Sequence, residues 1–169
     1  LNLVDNMCLP TLRQIGTRLA LHSRCQCFSQ TKAGLFVAMT GALVRIAPGG
    51  MRQLHWHLNF DEWQFAINGT FEVGVFTSPG QSVTGTLNPG DLGFAPRGSG
   101  HYVKNTGTTP GHVVLIFNAG EFTNVDVVNF LGAFPPSWAA ASLNISTTAA
   151  KGINYGLAGF APQPGVQPS

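Results

Sequence analysis

Residues 55–70 read HWHLNFDEWQFAINGT. Successive side chains of an extended strand face opposite ways, so His55 and His57 share one face and Trp56 takes the other. Across a short turn, Glu62 opens a second alternating run that stops at Asn68-Gly69. Asn-Gly between two alternating runs is a strong hairpin signal. The stretch therefore predicts three consecutive strands, with two imidazoles and a carboxylate near one another. His-x-His by itself carries little weight, because alternating histidines also occur as ordinary polar residues on a strand face.

Outward from this stretch the chain keeps the same rhythm. "LFVAMTGALVRIA" ends at Pro48-Gly49-Gly50, "TFEVGVF" runs to Ser78-Pro79-Gly80, and "SVTGTL" stops at Asn88-Pro89-Gly90. "DLGFAP" ends at Arg97-Gly98, "HYVKN" at Thr106-Gly107 and "HVVLIFN" at Ala119-Gly120. Short strands punctuated in this way predict a sandwich or barrel. With 21 Gly, 11 Pro and only 9% charged residues, composition also favours short strands and turns over long surface helices. The expected class is all-β, and 169 residues suit one packed domain. Beyond residue 122 the period changes. Val125, Val128 and Leu131 fall at helical spacing behind Thr123 or Asn124 as a cap, and "PSWAAASL" follows a proline pair that starts another short helix.

Charge excludes some partners. The formal net charge is +2, but no Lys/Arg cluster lines one segment as nucleic-acid binding needs. No apolar run reaches the roughly 18 residues of a membrane span, and no basic-then-apolar leader is present, so the chain reads as soluble. Cys8, Cys25 and Cys27 are an odd number and do not settle the redox compartment; Cys25-x-Cys27 alone is too sparse for a zinc site. Sequons at Asn68 and Asn144 would be used only in a secreted chain. Residues 8–32 hold all the cysteines and no acid; they half-fit a weak helix and fit an unpacked lead-in equally well.

The ligand question turns on what accompanies the histidine pair. Gly50, His55, His57, Glu62 and Gly69, followed by Gly90, Pro96, Gly98, His101 and Asn105, resemble the two cupin motifs with every fixed position filled. The resemblance implies a small jelly-roll β-barrel with short C-terminal helices and a metal held by His55, His57, Glu62 and His101. It divides the chain into an atypical lead-in (1–33), a cupin domain (34–145) and a Gly/Pro-rich tail (146–169), and it puts a short strand-forming stretch where the lead-in stands. Three imidazoles and one carboxylate without a thiolate suit Mn(II), or less well Fe(II), in octahedral geometry with two positions open. Such a centre carries about one net positive charge and fits a small chelating dianion such as oxalate.

"PGGMRQLHWHLNFDEWQF", "NPGDLGFAPRGSGHYVKNTG" and "FLGAFPPSW" are similar to stretches of the second half of bicupin oxalate decarboxylases. That resemblance implies a Mn-dependent, dioxygen-requiring cleavage of oxalate to formate and carbon dioxide, or the oxidase reaction of germin-like relatives that gives hydrogen peroxide. It also implies a homo-oligomer or half of a bicupin. Arg52 matches the family arginine that steadies oxalate beside the metal. Strand parity puts residue 52 opposite 53, 55 and 57, so this role requires an irregular backbone after Gly49-Gly50. The family's two acids fall on Leu115 and Asn124, and Glu121 lies three residues from the second. With both positions lacking an acid, an oxidase or a cupin that binds metal without turnover stands as the alternative. Trp56 and Trp63 read as core, and His112 as a strand surface residue.

Overall fold

The computed structural model describes residues 24–30, 39–78, 80–120, 122–153 and 160–161. Cys8, His22, Glu121 and most of the expected tail lie outside the described residues. Among the described residues, eleven strands and three short helices follow in order: β1 (Arg24–Gln30), β2 (Met39–Ile46), β3 (Met51–Trp56), β4 (Glu62–Asn68), β5 (Phe71–Thr77), β6 (Gln81–Leu87), β7 (Leu92–Ala95), β8 (His101–Asn105), β9 (Gly111–Phe117), β10 (Val125–Asp126), α1 (Val127–Gly132), α2 (Pro136–Leu143), α3 (Thr147–Lys151) and β11 (Phe160–Ala161). They form two antiparallel sheets, ordered β1-β2-β9-β4-β7 and β10-β3-β8-β5-β6, with β11 added beside β3. This is the all-β jelly roll with short C-terminal helices that the sequence leads one to expect.

The core lies between the sheets because each inner strand alternates. In β9, Val113, Leu115 and Phe117 are buried while His112, Val114 and Ile116 are half-buried on the outside. Phe60, Phe71 and Phe117 are its largest fully buried apolar side chains. Asn105, itself fully buried, ties the turns together: its amide donates to the carbonyls of Ile46 at 2.9 Å and Thr109 at 2.8 Å, and its oxygen accepts from Gly107 N–H. Gly69 has φ +91° in the β4–β5 hairpin, where a Cβ would lie 2.8 Å from the Gly111 Cα, so no other residue fits without moving backbone.

Three expectations about elements differ. The atypical segment contains β1, which pairs along its whole length with β2 from Arg24↔Arg45 to Gln30↔Met39, so it includes neither a helix nor an unpaired stretch over those residues. The first helix begins at Val127, not behind Thr123 or Asn124, because residues 125–126 extend along β3 first; Asp126 caps it by backbone position only, with no side-chain cap bond. Residues 147–151 of the expected tail form α3, whose start is held by the Ser146 hydroxyl accepting from Ala149 N–H at 3.0 Å. Trp56 and Trp63 are half-buried on outward faces, against Phe130 and Phe94 respectively, and not in the core. Among the described residues no helix is long and apolar enough to cross a membrane.

Candidate metal centre

His55 on β3, His57 one residue past its end and His101 at the start of β8 come from one sheet, and Glu62 at the start of β4 comes from the other. Their candidate ligand atoms all lie within 4.8 Å of one another, and all four residues are buried. Each imidazole is oriented from behind. Nδ1 of His55 lies 2.7 Å from the Gln53 carbonyl, that of His57 2.8 Å from the Thr123 carbonyl, and that of His101 2.9 Å from the Ser99 carbonyl. A carbonyl only accepts, so each Nδ1 carries the proton and each Nε2 lone pair is turned inward in the neutral ring. Gln64 donates to Glu62 Oε1 at 2.9 Å, which leaves Oε2 facing the imidazoles. His57 is further fixed by Gly98 N–H donating to its carbonyl at 2.8 Å and by the rings of Phe60, Phe117 and Phe122 around it.

The donor set fits a metal ion. His55 Nε2 is buried without any hydrogen-bond partner, a condition that costs about 1–3 kcal/mol unless something binds it. Glu62 Oε2 lies 2.9 Å from His57 Nε2, 3.2 Å from His101 Nε2 and 4.0 Å from His55 Nε2, so the four atoms surround a common space. The local field matches. Burial, followed by the nearby Arg52 charge, holds the His55 pKa well below its usual value. Burial opposes ionisation of Glu62, but hydrogen bonds from His101 and His57 outweigh it and hold the carboxyl well below its usual range. For His101, burial is outweighed by the Glu62 carboxylate, and the pKa is raised. A divalent cation takes the place of the shared protons in such a cluster.

Arg52 is at the site, and the backbone irregularity that brings it there is a bulge. Arg52 pairs with Val103 and His55 with His101, so three steps on β3 match two on β8. The extra residue puts Arg52 and His55 on the same inward face, while Leu54 is 49% exposed. The irregularity thus lies within β3 between 52 and 55, not directly after Gly49-Gly50. Arg52 is 6% exposed, and its Nη1 donates to Asp126 Oδ1 at 2.6 Å while Nη2 donates to Asn124 Oδ1 at 2.5 Å. Asp126, 1% exposed, pairs in register with His55.

Asp126 is the residue that motif reading missed. Its signal in the sequence is a lone acid between valines in "NVDVV", a position that alternation would bury. Of the two family acid positions, Leu115 is 5% exposed in the apolar core beside Gln64, and Asn124 is an amide already bonded to Arg52. His112 is half-buried on β9 with Nδ1 2.8 Å from Asn68 Oδ1, away from the ligands.

The cupin family model matches residues 28–151. The chain is a cupin. Relatives of this cupin include oxalate decarboxylase OxdC of Bacillus subtilis, 37% identical over 107 residues that make up 63% of this chain and 28% of that protein. Germin-like protein 5-1 of Oryza sativa is 40% identical over 73 residues, 43% of this chain and 33% of its own. Among solved structures, the Bacillus subtilis oxalate decarboxylase in which Mn(II) centres were assigned superposes with a TM-score of 0.76 at 29% identity, covering 82% of this chain and 37% of that one. A formate complex of Lactobacillus farciminis oxalate decarboxylase gives 0.72 at 29% identity over 78% and 39% of the two chains. This cupin therefore spans between a quarter and two fifths of the length of these relatives.

Proposed function

We propose that this cupin binds Mn(II) through His55, His57, Glu62 and His101 and acts on oxalate or another small carboxylate in the manner of oxalate decarboxylases. The observation that carries the reading is the convergence of three oriented Nε2 atoms, one of them without a partner, on a carboxylate oxygen, with a buried arginine beside them. The donor set favours Mn(II) or Fe(II) over thiophilic metals, and decarboxylase relatives with Mn(II) centres support the first. When bound, the metal supplies a Lewis acid for the substrate carboxylate and a redox partner for dioxygen.

The chain's own residues do the rest. Arg52 donates to a carboxylate held next to the ligands, and Asp126 and Asn124 keep its guanidinium in place. The Phe60, Phe117 and Phe122 rings keep water from the His57 side. Decarboxylation replaces the broken C–C bond of oxalate with a C–H bond in formate and so needs a proton delivered to carbon. Leu115 cannot carry it, and both Asp126 oxygens accept hydrogen bonds, from Arg52 and from Asn124 Nδ2 at 2.8 Å. That absence of an uncommitted acid among the described residues favours a second reading. In it the same centre oxidises oxalate to two carbon dioxide molecules and reduces dioxygen to hydrogen peroxide, as a germin-like oxidase would, or binds metal without turnover.

The deciding experiment incubates Mn-loaded protein with oxalate under air and measures formate and peroxide separately. Formate supports the decarboxylase, and peroxide without formate supports the oxidase. Neither product from a fully loaded protein would sink both enzymatic readings. The cupin is further proposed to work as an oligomer or beside a second cupin half.

A further inference from the structure

We propose that Asp126 is a positioning residue of the metal centre, one that fixes the Arg52 guanidinium and limits how strongly the centre attracts carboxylate anions. This rests on the carboxylate-binding reading above.

Arg52, Asp126 and Asn124 close a ring of hydrogen bonds. Arg52 Nη1 donates to Asp126 Oδ1 at 2.6 Å, Asn124 Nδ2 donates to Asp126 Oδ2 at 2.8 Å, and Arg52 Nη2 donates to Asn124 Oδ1 at 2.5 Å. The ion pair is almost wholly withdrawn from water, with side-chain exposures of 7% and 1%. Burying two charges costs solvation that their attraction only partly offsets, so stability alone is a weak reason for such a pair. Its placement suggests another. The Asp126 Cα is in register with His55, so the carboxylate is anchored on the strand next to a ligand, with the carbonyl of Thr123 on the same short segment holding His57 Nδ1. The arginine that would meet a substrate carboxylate is thus already bonded to a resident one.

Two consequences follow. The fork of Arg52 cannot swing, which favours a single substrate pose. The charge of Arg52 is also matched before substrate arrives: with a divalent cation bound, Glu62, Arg52 and Asp126 together leave one net positive charge, and neutralising Asp126 leaves two. A dianion is then attracted more strongly.

The test uses the full chain loaded with Mn(II), with oxalate binding measured by calorimetry without dioxygen so that no turnover intervenes. In Asp126→Asn an oxygen can still accept from Nη1 while the charge is gone, and its oxalate Kd should fall by roughly tenfold, with metal stoichiometry unchanged. A purely structural role predicts no tightening. If Asp126→Asn fails to fold because its amide opposes that of Asn124, the smaller Asp126→Ser carries the same expectation. A Kd within about twofold of the parent, or weaker, in the folded variant overturns the inference while leaving carboxylate binding intact. No oxalate binding by either protein removes the carboxylate reading and this inference with it.

Discussion

Among single residues, Arg52 reaches the candidate metal centre because β3 carries one extra residue between 52 and 55, and Asp126 and Asn124 hold its guanidinium there. Parity alone turned it away from the ligands, and the family resemblance turned it toward them; the bulge between 52 and 55 resolves the conflict. No local rule announces such a bulge, so the convergence of the four candidate ligands was legible from their motif while the arginine's path was not. Asp126 was less legible still, since its partner lies 74 residues away in the chain. Arg52→Lys keeps a charge but loses the fork that bonds Asp126 and Asn124 together. We expect kcat/KM on oxalate to fall about tenfold to a hundredfold, the value of one charge-assisted hydrogen bond at about 1.5–3 kcal/mol, with metal content unchanged. Unaltered kinetics would remove Arg52 from the substrate's contacts. The pKa shifts make a second prediction, for the metal-free protein. His55 has a folded pKa below the usual 6.5, so its contribution to stability is present above that value and lost as pH falls through it. Glu62, held below the usual 4.5, adds a further loss at lower pH. His101, raised above 6.5, acts the other way, and its contribution fades as pH rises through its folded value. Urea midpoints should therefore decline on acidification from neutral pH in two stages, below 6.5 and again below 4.5. A flat profile through both windows would contradict the assigned shifts.

At the scale of elements, β2 and the strands from β4 to β9 were legible because each is a run stopped by Gly, Pro or Asn-Gly, whereas β3, which ends without such a stop and carries the bulge, was legible only through its histidine pair. The first helix was legible in kind but not in its start. Helical spacing reaches back to Val125, yet pairing with β3 keeps 125–126 extended, and the Asp126 carboxylate goes to Arg52 instead of capping α1. A tertiary contact thus overrides a local preference. The lead-in is the converse case: β1 lacks a clean apolar alternation and forms by pairing along the edge of β2. The motif glycine of the β4–β5 hairpin gives the sharpest test at this scale. Gly69→Ala must adopt φ +91° and place its Cβ 2.8 Å from the Gly111 Cα, so it should cost about 1–3 kcal/mol of stability. The melting temperature should drop clearly while the folded protein still binds one metal ion. An unchanged melting temperature would mean that the crossing of Gly69 and Gly111 is looser than described.

At the scale of the whole molecule, the candidate metal centre lies between the sheets, since Glu62 belongs to one and the histidines to the other. The same five-stranded sheet presents an apolar outer face near its β7 edge. Trp63 pairs with Phe94 and Phe65 with Leu92, and Phe65, Leu92 and Phe94 are 40%, 61% and 49% exposed. Contiguous exposure of this kind suits the self-association proposed above. Sedimentation of the purified chain should give at least twice the mass of one chain, and Phe94→Glu should lower it; a monomer at micromolar concentration would refute self-association. None of this was legible from composition, because alternation shows which residues leave the core but not what covers them, and Trp63 itself read as core. His55, His57, Glu62 and His101 are proposed to make one metal centre between the two sheets. Elemental analysis of the purified protein beside His101→Ala tests it most directly. Close to one Mn(II) per chain is expected in the parent and a large loss in the variant; no stoichiometric transition metal in the parent, or full retention in His101→Ala, would rule the shared metal centre out.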